Sequence, residues 1–258
     1  MTPPDRDRTV WWLDRRVDLI LPGVDTGGLA AFTRGTAPVP GSPAPYIRLR
    51  EEALYFVARG CVRLVTARDA LDLGVRDFCA IPPGVSHKLE DCGREPALFY
   101  AIYLPAGFDE FQLESGRPMR DPDAPVLPLT PVQVEQARRL ARPRGVELST
   151  APEVADAAPR VARASTASSE ARFLAEADAP LRYTLLELQV SSSGSPAMPP
   201  AAAAVCCVIE GRVRLMWDGS EVYLAEGGAA CVAGAGYSIG TASQQPARVL
   251  LLTTAGAA

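Results

Sequence analysis

Ala53-Leu54-Tyr55-Phe56-Val57-Ala58-Arg59-Gly60-Cys61-Val62-Arg63-Leu64-Val65 consists of two short apolar runs hinged on an Arg-Gly pair. A run of that kind on each side of a glycine turn predicts a β-hairpin. The pattern returns as Val205-Cys206-Cys207-Val208-Ile209-Glu210-Gly211-Arg212-Val213-Arg214-Leu215-Met216-Trp217. Gly60-Cys61-Val62-Arg63-Leu64 aligns with Gly211-Arg212-Val213-Arg214-Leu215 at a spacing of 151 residues. After each comes a hairpin-like stretch, a glycine-bearing turn and a strand ending near Ile81 or Val232. The order of features agrees in both halves, so the chain reads as an internal duplication.

Outward from these hairpins, Asp77–Ile81, Ala97–Leu104 and Tyr183–Leu188 read as further strands, the last as ordinary sheet. Many short strands separated by regular turns predict a sandwich or barrel. The expected fold is therefore all-β, with two barrels and a short helical connection. That helix is Leu129–Leu140, where Thr130 is placed as N-cap and Pro131 suits the first turn. The expected divisions are 1–148 for the first barrel and its helix, 149–170 for an Ala-, Ser- and Pro-rich linker, and 171–258 for the second barrel. The stretch Ser191–Pro196 reads as a loop inside the second half.

The 258 residues, 48% hydrophobic and 22% charged, are ordinary for a globular protein with a large core. A formal charge of −4 gives no electrostatic reason to expect nucleic acid or an anionic membrane as partner. The charged, proline-bearing start lacks the apolar core of a signal peptide, and no run of about 18 apolar residues is present. The expectation is a cytoplasmic protein that binds neither membrane nor nucleic acid. The six cysteines, at 61, 79, 92, 206, 207 and 231, form no CxxC pair. They read as buried thiols acting as small hydrophobes rather than as a zinc or redox site.

Several motifs of the first half occur in an order that resembles the quercetinase-type bicupins. These are Asp25-Thr26-Gly27-Gly28, Gly41 to Arg48, Arg50 to Val57, Pro82-Pro83-Gly84-Val85-Ser86-His87 and Pro105-Ala106-Gly107-Phe108-Asp109. The likeness spans about residues 20–150 and reaches the second half only through the duplication. It implies two double-stranded β-helix (jelly-roll) barrels. It also implies a divalent metal held by His-x-His, a glutamate and the histidine of the later motif. On this sequence the first two histidines fall on Tyr46 and Arg48, and the glutamate falls on Ala53. Glu52 is one residue short and faces the other way, so only His87 matches. In the second half the positions fall on Ala197, Pro199, Ala204 and Ser238 or Ile239. One imidazole beside a guanidinium is no metal site, so the expectation is no metal and no cofactor.

The same alternation predicts that Tyr46, Arg48, Tyr55 and His87 face the first barrel's interior. His87, Arg48 and Tyr46 are the expected catalytic set, for proton transfer and carbonyl polarisation. Tyr55, Glu52, Tyr103 and Trp217 are the expected substrate-binding residues, and Glu51 or Glu52 is placed to neutralise Arg48. The first functional reading is a metal-independent cyclase or related tailoring enzyme of polyketide-type biosynthesis, folding a small apolar substrate in that barrel. The second is a non-catalytic binding or scaffold cupin in which Tyr46 and Arg48 merely fill the vacated volume. A metal-dependent dioxygenase or isomerase stands third. A homodimer paired through strand edges is expected.

Overall fold

The computed structural model describes residues 8–13, 15–36, 46–119, 121, 130–148, 157–164, 171–177, 182–191, 201–234 and 236–254. The chain divides into two compact units, Met1–Ala164 and Ser165–Ala258. No helix among the described residues is long and apolar enough to cross a membrane.

The first unit is a two-sheet jelly roll. One sheet contains β1 (Thr9–Trp12), β2 (Arg15–Leu21), β3 (Ala31–Thr36), β5 (Glu52–Arg59), β8 (Phe78–Ile81), β10 (Leu98–Leu104), β11 (Arg117–Pro118) and β13 (Arg160–Ala162). Its order is β11-β1-β2-β3-β10-β5-β8-β13. The other contains β4 (Tyr46–Arg48), β6 (Val62–Thr66), β7 (Ala70–Leu73), β9 (His87–Asp91) and β12 (Val146–Leu148), in the order β12-β4-β9-β6-β7. Two helices accompany them, α1 (Phe108–Ser115) and α2 (Pro131–Ala141). Thr130 caps α2 with a reciprocal capping box to Gln133, and Pro131 occupies the first turn, as the sequence predicts. Helix α1 was not expected; with Phe108 and Phe111 fully buried, it closes over the end of the barrel.

The second unit repeats the scheme with fewer strands. One sheet has the order β14-β15-β21-β16-β19. Its strands are β14 (Ala171–Ala177), β15 (Tyr183–Val190), β16 (Ala203–Glu210), β19 (Ala229–Ala233) and β21 (Ala247–Thr254). The other has β18 (Ser220–Ala225), β17 (Arg212–Trp217) and β20 (Tyr237–Thr241), in that order.

The hinge glycines account for the repeat physically. Gly60 has φ +78°, and a Cβ there would lie 2.9 Å from Ala97 Cα at the approach to β10. Gly211 has φ +80°, and its Cβ would lie 3.1 Å from Ala247 Cα at the start of β21. Each turn needs a left-handed residue with no side chain, so each half requires glycine at the same topological point.

Two features differ from the sequence reading. Residues 160–162 lie within the expected linker, yet β13 pairs with β8 (Val161 opposite Cys79), so this segment is an edge strand of the first unit. The rest of that stretch (149–156 and 165–170), with most of the expected 191–196 loop and Ala197 and Pro199, lies outside the described residues.

The cysteines are the second difference: two of the six expected free thiols are bonded to each other. Cys61 and Cys92 form a disulfide, with Cα atoms 5.3 Å apart. Strands β6 and β9 pair with Val62 opposite Asp91, which sets residues 61 and 92 side by side at the end of the ladder. Cys79, Cys206 and Cys207 are buried as expected, and burial pushes the Cys79 and Cys206 thiols up to about 12.

Candidate functional site

Period-two alternation builds the interior of the first barrel from four strands. Strand β4 supplies Tyr46 and Arg48, β5 supplies Ala53, Tyr55 and Val57, β9 supplies His87 and Leu89, and β10 supplies Phe99 and Tyr103. Tyr46 and His87 are direct partners across the β4–β9 ladder. Behind His87, the Pro82-Pro83-Gly84 turn places Gly84 at φ +81°, and its N–H donates to Arg48 O at 2.7 Å. That turn fixes the register in which Arg48 and His87 meet.

The four predicted inward-facing residues come together. Arg48 Nη1 donates to Tyr55 Oη at 2.9 Å and lies 3.5 Å from His87 Nε2. Tyr55 Oη lies 2.9 Å from Tyr46 Oη and 3.3 Å from His87 Nε2. His87 Nδ1 is 2.9 Å from Val85 O, a pure acceptor, so Nδ1 carries the proton and donates. That leaves the Nε2 lone pair facing Arg48 and Tyr55. Burial, and next the Arg48 charge, hold the His87 pKa well below the usual 6.5; the bond to Val85 only partly opposes them. His87 is a neutral imidazole with a bare Nε2. Burial likewise raises the Tyr55 phenol well above 10, so Tyr55 is a neutral hydroxyl.

Arg48 is 1% exposed. Its Cζ lies over the rings of Tyr46, Tyr55, Tyr103 and Phe108 at 5.4 to 5.9 Å. No carboxylate among the described residues is within ion-pair distance of it, and its Nε has no hydrogen-bond partner. The aromatic faces and the Tyr55 hydroxyl therefore hold the charge. Arg15 is a second buried guanidinium, which sequence reasoning missed. Its Nη2 donates to Leu89 O at 2.8 Å, and its Cζ stacks over Phe99 at 5.6 Å. Only the inward parity it shares with Val17 on β2 marked it beforehand.

Trp12, Phe108 and Phe111 close this interior in edge-on contacts of 5.4 to 6.1 Å, and Trp12 meets Tyr46 edge-on. The space left among Trp12, Arg15, Tyr46, Tyr55, Phe99 and Tyr103 is about 10 Å³. That is room for about one water molecule.

Tyr103, expected to bind substrate, borders this space and accepts from Gln112 Nε2 at 3.3 Å. Two other expected substrate-binding residues do not join it. Glu52 begins β5 on the opposite parity from Ala53 and Tyr55, and its Oε1 accepts from Arg160 at 2.7 Å. Trp217 belongs to β17 and packs, partly buried, against the core of the second unit. Neither Glu51 nor Glu52 pairs directly with Arg48; Glu51 is buried beside it with an unpartnered Oε2.

The architecture is shared with solved structures at very low sequence identity. Protein Ylba of E. coli matches with TM-score 0.62 at 9% identity, over 94% of this chain and 84% of that one. A point variant of Bacillus subtilis oxalate decarboxylase matches with TM-score 0.60 at 13%, over 96% and 74%. The chain has the bicupin fold. A putative glyoxylate-induced protein of Pseudomonas aeruginosa matches with TM-score 0.59 at 12% identity, over 96% of this chain and 84% of its own. No protein-family profile matches this bicupin chain, and no curated protein matches it in sequence.

Proposed function

We propose that this chain is a metal-independent, small-molecule-binding cupin whose first barrel core is structural. The observation that carries the reading is the filled interior: Tyr46, Arg48, Tyr55 and His87 form one buried network, and the space beside it, bounded by Trp12, Arg15, Tyr46, Tyr55, Phe99 and Tyr103, is about 10 Å³. A pocket for a drug-sized ligand spans roughly 300–1,000 Å³. A flexible polyketide has no room in that core, so the cyclase reading has little support from the geometry.

The donor set does not fit the divalent ion that cupin folds commonly carry. His87 is the chain's only histidine, and its free nitrogen faces a guanidinium at 3.5 Å. A cation bound there would lie against a permanent positive charge. Among the described residues the one cluster of potential ligands is Cys61, Asp72 and Cys92. Its two sulfurs are already joined to each other, and Asp72 is held by Arg63 at 2.6 Å. On this reading Arg48 and the tyrosines occupy the volume of a degenerate metal centre and satisfy one another.

Metal analysis of untagged protein, with thermal unfolding in iron, manganese, nickel and zinc salts, tests the proposal. Substoichiometric metal and an unchanged midpoint are expected. A stoichiometric ion whose removal lowers the midpoint would overturn it.

A further inference from the structure

Outside the barrel core, a cleft of about 600 Å³ opens between α1, α2 and the turn joining β4 to β5. It has drug-sized dimensions, which the core lacks. Arg50, Glu51, Gly107, Arg139, Leu140 and Pro143 are among its lining residues. Its charges are unevenly committed. Arg144 clasps the two helices together, bonding Glu110 at 2.6 Å and Glu114 at 2.8 Å. Arg50 makes no ion pair among the described residues. Its stem lies on bare Gly145, where a Cβ would be 3.1 Å from Arg50 Cγ and Cδ. Among the described residues Arg139 reaches only Glu135, at 3.6 Å on an exposed helix face.

Glu51 completes the set. It is 3% exposed, with Oε2 unpartnered. Its Oε1 lies where a Cβ on Gly107 would approach to 3.1 Å, so glycine there leaves the carboxyl room at the cleft floor. Burial raises the Glu51 pKa above the ordinary 4.5, and Asp109 adds to the rise. Arg48 on β4 and the neighbouring Arg50 oppose it. The remaining charges that line the cleft are Glu110 and Glu114 from α1, Arg139 from α2 and Arg144 just beyond it.

We propose that this cleft binds a small organic anion of the carboxylate type, clamped by Arg50 and Arg139, with Glu51 giving it a hydrogen bond from the floor. The inference rests on the binding reading above and supplies its site. Two guanidiniums suit the planar oxygens of a carboxylate. Leu140, Pro105 and Pro143 offer apolar wall to the rest of the molecule. Binding is coupled to uptake of a proton at Glu51, since a protonated carboxyl donates where an ionised one would repel, and burial already moves its pKa upward.

Calorimetric titration of the full chain with benzoate, and with phenyl phosphate as the alternative oxyanion, tests the site. Benzoate is expected to bind more tightly than phenyl phosphate. Arg50→Ala and Arg139→Ala should each weaken benzoate about tenfold, the size of a lost charge-assisted contact. Wild-type affinity should fall as pH rises and Glu51 ionises, while Glu51→Gln, which still donates, should bind without that dependence. No saturation by about 10 mM benzoate, or affinity unchanged in both arginine variants, overturns the cleft. Tighter phenyl phosphate overturns the carboxylate assignment. Benzoate binding lost in His87→Gln but kept in the arginine variants moves the ligand to the barrel core and overturns both this site and the structural reading of that core. A stoichiometric metal sinks the metal-free reading alone.

Discussion

Replacing His87 with glutamine should make the protein less sensitive to mild acid, because the native imidazole resists protonation. The ring is fully buried, with its free nitrogen 3.5 Å from Arg48 Nη1, and its pKa is held well below 6.5 by burial and by that charge. In the unfolded chain the imidazole titrates near its ordinary 6.5. As pH falls through that value the unfolded state takes up a proton that the native state refuses, so stability falls. If the native ring stays neutral throughout, the loss at pH 5.5 relative to alkaline pH reaches its upper limit, RT ln(1 + 10), on the order of 1 kcal/mol. Glu51 acts in the opposite sense. Its native pKa is raised, so just above 4.5 the native state holds the extra proton and gains stability as pH falls. Glu51 is present in both proteins, so its contribution cancels in the comparison. Urea unfolding of wild type and His87→Gln at about pH 7.5 and 5.5 measures the difference. Because the chain has one histidine, its Hε1 proton resonance reports the same titration directly in untagged wild type. Equal losses in the two proteins, or an Hε1 midpoint near 6.5, would refute the argument.

Arg48→Met removes the charge beside Nε2, so the Hε1 midpoint of His87 should move upward; an unmoved midpoint would mean that burial alone sets it. The same variant trades four ring contacts, each worth about 0.5–2 kcal/mol, against the cost of burying a cation, and should unfold within about 2 kcal/mol of wild type in urea. Gly60→Ala and Gly211→Ala should each lose about 1–3 kcal/mol, since both force a side chain into a left-handed turn against the backbone near Ala97 or Ala247; circular dichroism melts check this, and a neutral result at either site would show that the turn relaxes. Changing Cys61 and Cys92 together to alanine opens a loop of sequence separation 31, and chain entropy sets the expected loss at about 3–4 kcal/mol by denaturant titration. An unchanged midpoint after both cysteines are removed would mean that the β6–β9 ladder alone fixes that edge.

The sequence by itself determined the features that depend on neighbours in the chain. Short apolar runs on each side of Gly60 and Gly211 specified the two hairpins, and a left-handed turn against a crossing strand favours glycine at both hinges. The Thr130-Pro131 start of α2 was legible because a helix cap is built within four residues. Strand parity also turned Tyr46, Arg48, Tyr55 and His87 towards the barrel interior. How those side chains share the space between the sheets is settled by packing across strands far apart in the chain. Whether a barrel interior is open or filled depends on the summed volumes of Trp12, Arg15, Phe99, Tyr103 and Phe108, drawn from β1, β2, β10 and α1. No local pattern encodes that sum. The Cys61–Cys92 bond likewise needed the β6–β9 register. Glu51 and Glu52 differ by one residue, yet the bend before β5 sends the first to the cleft floor and the second to Arg160. That Tyr46, Arg48 and Ala53 stand where the resemblance implies metal ligands could be read along the chain, while the closure of the core and the opening of a cleft beside it are properties of packing.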